Sequence, residues 1–154
     1  MENILLAAHV LAGILFVGPV AVTTSLFPRF AAPATGTGAD AVATAPAVAT
    51  APAVATVLHR ITRVYGILAL VVPVIGLVLA AVQGRLGEIW ITIAMVLTAV
   101  AGALLALRIV PAQRDALTGS LDPGGLRMMR MLTGVFNLLW AAVVVLMIVR
   151  PGAA

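Results

Sequence analysis

Apolar positions in this chain come in long unbroken runs. They do not show the alternation of a half-buried strand or the single stripe of a surface helix. Four runs reach the roughly 20 residues a helix needs to cross hydrocarbon: about 3–27, 57–82, 88–110 and 129–149. The gaps between them hold turn chemistry. Gln83-Gly84-Arg85-Leu86-Gly87 joins the second and third runs and is so short that they must be antiparallel neighbours. Pro111 closes the third run, and Asp122-Pro123-Gly124-Gly125 makes a turn ahead of the fourth. The pattern predicts an all-α fold, an integral membrane four-helix bundle in which residues 1–154 form a single domain.

The gap between the first two runs is of another kind. Residues 41–56 read AVATAPAVATAPAVAT, a unit of AVATAP written twice and then cut short. Pro46 and Pro52 each lack an N–H and crowd the preceding turn. In lipid an unsatisfied backbone group costs several kcal/mol, and Ala and Thr return little for it. The repeat also runs straight into Val57, which leaves no connector to reverse the chain. Residues 28–56 are therefore expected to be a flexible, disordered Ala/Pro/Thr loop.

Composition agrees with a lipid solvent. Hydrophobic residues make up 63% of the 154 positions and charged residues 9%, against about half and a quarter in soluble domains. The formal charge of +4 comes from nine Arg and no Lys, set around the ends of the apolar runs. Nucleic-acid binders gather charge on one face, so that partner class is excluded. The absence of Cys removes disulfides, thiolate metal sites and thiol catalysis. With four spans, Arg85 and Arg150 fall on one side, whereas Arg29, Arg60, Arg63, Arg108, Arg114, Arg127 and Arg130 fall on the other. Seven against two predicts both termini outside and the repeat in the cytoplasm; Arg without Lys, beside abundant Ala and Gly, associates the chain with bacteria and hence with a bacterial plasma membrane. The first run follows Glu2 with no positive side chain before it, and it is too long for a signal-peptide core, so it reads as a span.

Small and polar residues mark the faces that pack. The second run carries His59, Thr62, Gly66, Ala69, Pro73, Gly76 and Ala80 at helical spacing, and the third carries Ala94, Thr98, Gly102 and Ala106. Small residues let helices approach closely in lipid, so these two stripes are expected to meet across the short turn. Asn137 lies deep in the fourth run and is expected to point into the bundle. His9, Gly13, Phe16, Val20 and Thr23 share a face of the first. Pro19 and Pro73 should bend their helices, and Trp90 is read as an interfacial anchor.

Candidate chemistry is sparse. No two carboxylates share a span, so no catalytic pair is assigned. Glu2, His9 and Glu88 make at most a loose outward-facing metal set. The two histidines start helices that enter from opposite sides, which places them roughly 20 Å or more apart in depth at 1.5 Å per residue. One iron cannot hold both. His9, inside a span and four residues from Gly13, is the candidate haem ligand.

The stretches Ala7-Ala8-His9-Val10-Leu11-Ala12-Gly13, His59-Arg60-Ile61-Thr62-Arg63 and Val149-Arg150-Pro151 resemble an uncharacterised family of bacterial four-span predicted integral membrane proteins. That family is distantly similar to the copper-resistance D membrane domain and to HemJ-type protoporphyrinogen oxidase. The resemblance to the HemJ type implies a first-span His and a later Lys acting with haem b; this chain supplies the His as His9 and has no Lys. Three functions are expected: a helix-packing or accessory subunit with a membrane-protein partner or a second copy, a haem-binding redox protein using His9, and a small transporter or copper-handling protein.

Overall fold

The computed structural model describes residues 2–31 and 39–152, with residues 39–50 described by backbone alone. Every regular element among them is helical. Helix α1 is Glu2–Phe30. Helix α2 is Ala39–Leu68 and α3 is Val71–Val82. Helix α4 is Ile89–Leu117 and α5 is Pro123–Val149. Four helical stretches, 2–30, 51–82, 89–117 and 123–149, are long and apolar enough to cross a membrane. The fold is an all-α four-helix bundle.

The turns follow from their residues. Gly84, at φ +69°, closes α3 with bonds from its own N–H to Ala81 O (3.1 Å) and from Arg85 N–H to Ala80 O (2.9 Å). This is the left-handed termination for which glycine is favoured. Helix α5 begins at Pro123 because Asp122 caps it, Oδ1 accepting from Gly125 N–H at 2.8 Å.

The disordered loop expected over residues 28–56 is corrected in two places. Residues 28–30 finish α1, and residues 39–56 are helix continuous with the second span; the remainder of that loop, 32–38, lies outside the described residues. Alanine is the best helix former, and each proline deletes only one ladder bond. The two are six residues apart, so the gaps fall on different turns. Thr56 Oγ1 donates to Pro52 O at 2.9 Å. Tertiary burial supplies the rest: Ala55 is 1% exposed and packs with Leu58 against Phe27, Leu126 and Met129.

The third helix does not end at Pro111; α4 continues through it to Leu117. A π-helical turn at Leu105–Ile109 stands immediately before it, and α1 repeats the arrangement with a π turn at Gly13–Val17 ahead of Pro19. In the second span the helix breaks at Ala69–Leu70 ahead of Pro73, where Leu70 N–H bonds Ile67 O and Val72 N–H bonds Ala69 O, each at 3.1 Å. Three spans thus loosen their ladders just upstream of a proline, where an N–H is missing and the ring crowds the turn before it.

The packing order decides where space is left. Helix α1 lies against α2, α3 and α5, and α4 lies chiefly against α5. The α3–α4 pair, joined by the short turn, touches sparsely. One core cluster is built by α1, α4 and α5 from Val20, Ala101, Leu105, Ile109 and Phe136. A second cluster around Phe27 and Met129 closes the end that holds the repeat.

Candidate functional site

The two small-residue stripes do not meet directly. A cavity of about 580 Å³ separates α3 from α4, and α1 and α5 complete its wall. Pro73, Gly76 and Ala80 line it from one side and Ala94 and Thr98 from the other. The expected contact fails because α3 is occupied with α1. Gly66 does meet the third span, but at Leu105 and not at its small-residue stripe: a Cβ there would stand 3.1 Å from the Leu105 side chain. A smaller void of about 40 Å³ lies deeper, lined by Gly66, Ala69, Gly102 and Trp140 among others.

His9 is held in the cavity wall by two features of α3. A Cβ at Gly76 would lie 2.8 Å from His9 Cε1, well inside van der Waals contact, so the ring occupies space that only glycine leaves open. His9 Nδ1 stands 3.0 Å from Val72 O. A carbonyl can only accept, so Nδ1 carries the hydrogen and donates. With Nδ1 protonated, the neutral form of the ring has its lone pair on Nε2, a nitrogen suited to a metal. His9 is only 8% exposed, and it lines the cavity. Gly13 lines it too, and a Cβ there would meet nothing within 4 Å.

The rim at the end of α5 is built by Trp90 and Arg150. Trp90 is buried rather than standing as an exposed anchor, packed with Ala80, Ile91, Met95 and Met147. Its Nε1–H donates to the Glu88 carboxylate, which also pairs with Arg85 at 3.6 Å. The Arg150 guanidinium lies 5.8 Å from the centre of the Trp90 ring, within cation–π range. Arg150 has φ +46° and is the only non-glycine residue with positive φ among those described. For an L-residue that conformation costs roughly 1–2 kcal/mol.

Polar groups elsewhere are arranged differently. Asn137 Nδ2 donates to Ser25 Oγ of α1 at 3.0 Å, and its Oδ1 is buried without a partner among the described residues. Thr133 Oγ1 and Trp140 Nε1 are likewise buried and unpartnered. At the opposite end, Thr62 Oγ1 lies 2.8 Å from Thr23 Oγ1, and His59 Nδ1 lies 3.1 Å from Gln113 Oε1. Gln113 is fully buried. It was not legible as a site residue because the third run was expected to stop before it. His59 sits thirteen residues ahead of Val72, about 20 Å along a helix, so the two imidazoles serve separate ends. Glu2, His9 and Glu88 do not come together, and among the described residues no three His, Cys, Asp or Glu gather around a metal position.

No family model, curated protein or solved structure matches the chain.

Proposed function

We propose that the protein is a multi-pass membrane protein whose cavity holds a flat cofactor of the haem b type, largely apolar in its body, with His9 as its protein ligand. One observation carries this reading: a buried histidine, its Nδ1–H tied to a backbone carbonyl and its Nε2 without a partner among the described residues, lines a cavity of about 580 Å³. Cofactor pockets measure about 300–1,000 Å³, and ligating histidines commonly donate their second nitrogen to a carbonyl.

The residues present fit the group. His9 would hold the iron through Nε2, the Gly76 face seats the imidazole itself, the bare face of Gly13 leaves room beside it, and Met95 and Met147 line the cavity from other helices. Methionine sulfur, like histidine nitrogen, is a known ligand of haem iron. A bound haem supplies one-electron chemistry. The chain itself orients the imidazole through Val72 O, excludes water with an apolar wall and places a cation at the rim. The Arg distribution further supports N-out, C-out insertion in a bacterial plasma membrane, with this cavity on the outer side. A C-terminal reporter found active in the cytoplasm would reverse that orientation.

The test is the visible spectrum of protein purified from membranes, oxidised and reduced, beside His9→Ala. A Soret band present in the parent and lost in the variant is expected. A featureless spectrum from folded protein supplied with haem would refute the cofactor. Attention would then shift to the packing reading and to the partners that co-purify.

A further inference from the structure

We infer that the cavity's ligand carries an anionic group, a carboxylate or phosphate, at its outer end, and that Arg150 binds it over the face of Trp90. This rests on the reading that the cavity holds a ligand, and it names the chemical class of that ligand: an apolar body with an acidic head.

Arg150 lines the cavity. Its Nε–H donates to Met147 O at 3.2 Å, and its backbone N–H donates to Leu146 O at 2.9 Å. These two bonds fix the side chain at its root and leave the terminal Nη groups without a partner among the described residues. Trp90 fixes its plane. The nearby acid is not available to it: the Glu88 carboxylate is taken by Trp90 Nε1 and Arg85, and Arg150 makes no ion pair among the described residues. The backbone adds an independent sign. A helix end in left-handed conformation favours glycine, and this one carries arginine at φ +46° and ψ 59°. Strain of this kind clusters where a side chain has a task. The planar fork of arginine matches a carboxylate or phosphate with paired N–H donors, and a rim position next to an apolar wall leaves that pairing partly desolvated.

The test compares acid with ester on the full chain in nanodiscs. Haem b and its dimethyl ester are titrated by Soret absorbance into the parent and Arg150→Gln. A pyrene-labelled C16 fatty acid and its methyl ester are titrated by fluorescence into the same two proteins. The parent is expected to prefer at least one acid over its ester by about tenfold or more, the scale of one charge-assisted hydrogen bond. Arg150→Gln should lose that preference with ester affinity unchanged, and Arg150→Lys should keep most of it. Circular dichroism of each variant confirms folding. Binding of the fatty-acid pair alone, with the preference and its loss, would refute haem and leave the acidic-head assignment standing. Equal affinity for acid and ester in the parent, a preference that survives in Arg150→Gln, or saturable binding of neither pair would overturn it.

Discussion

The contact between Gly76 and His9 can be tested by adding one methyl group. Gly76→Ala places Cβ 2.8 Å from His9 Cε1 and 3.3 Å from Nδ1. Carbon atoms prefer about 3.5–4.0 Å, so the ring must retreat by roughly an ångström. That movement pulls Nδ1 from Val72 O, now 3.0 Å away. Overpacking a filled site costs about 1–3 kcal/mol, and the lost hydrogen bond about 0.5–1.5 kcal/mol. Replacing glycine in a helix returns about 0.5–1 kcal/mol. The net expectation is a loss of about 2 kcal/mol, read as a shift in the SDS-unfolding midpoint of the purified protein. Gly102→Ala is the control, since its Cβ would meet nothing within 4 Å; it should be neutral or slightly stabilising. In a His9→Ala background Gly76→Ala should no longer destabilise. If Gly76→Ala is as stable as the parent, or if its cost persists without the imidazole, the ring is not seated against this glycine.

Two further outcomes follow from other parts of the bundle. Thr62→Val removes a hydroxyl that donates to Leu58 O at 2.9 Å and meets Thr23 Oγ1 at 2.8 Å. It should cost about 1 kcal/mol, the upper range for bonds between membrane helices, while Thr62→Ser stays near the parent; equal stability of Thr62→Val would show the pair to be idle. Pro46→Ala combined with Pro52→Ala restores two N–H groups to a helix that already exists. Amide exchange across 47–56 should slow about tenfold or more, since a proline inside a helix costs about 3 kcal/mol; exchange at free-chain rates in both proteins would deny the helix.

What the sequence makes legible here is whatever depends on one helix at a time. Run length was enough for the four spans, because hydrocarbon imposes its thickness on any span; Asp122-Pro123-Gly124-Gly125, expected as a turn ahead of the fourth, is instead the cap and first turn of α5. Proline terminates the helix neither at Pro52 nor at Pro111. At Pro111 the cost is taken up locally by a π turn, and at Pro52 it is offset by the burial of Ala55 and Leu58 against α1 and α5. His9 and Gly76 were each conspicuous, but their union was not, since it depends on α3 choosing α1 over its sequence neighbour α4. The cavity is the consequence of that choice, and it has no signature in either stripe. Gln113 stayed hidden for a related reason: its burial exists only because α4 outlasts its proline.

The helical repeat carries a consequence of phase. From Ala39 to Leu68 the backbone is one helix of 30 residues, about 45 Å at 1.5 Å per residue, longer than the roughly 30 Å of hydrocarbon. The copies of AVATAP lie at the end away from α3, so gaining or losing one lengthens or shortens the rod at that end. Each six-residue copy adds about 9 Å and turns whatever precedes it by about 240°, at 3.6 residues per turn. Three copies make five whole turns and bring the tip back to its starting azimuth. Slippage in this stretch of the gene would act as a vernier, setting how far and in which direction the bundle reaches beyond the bilayer.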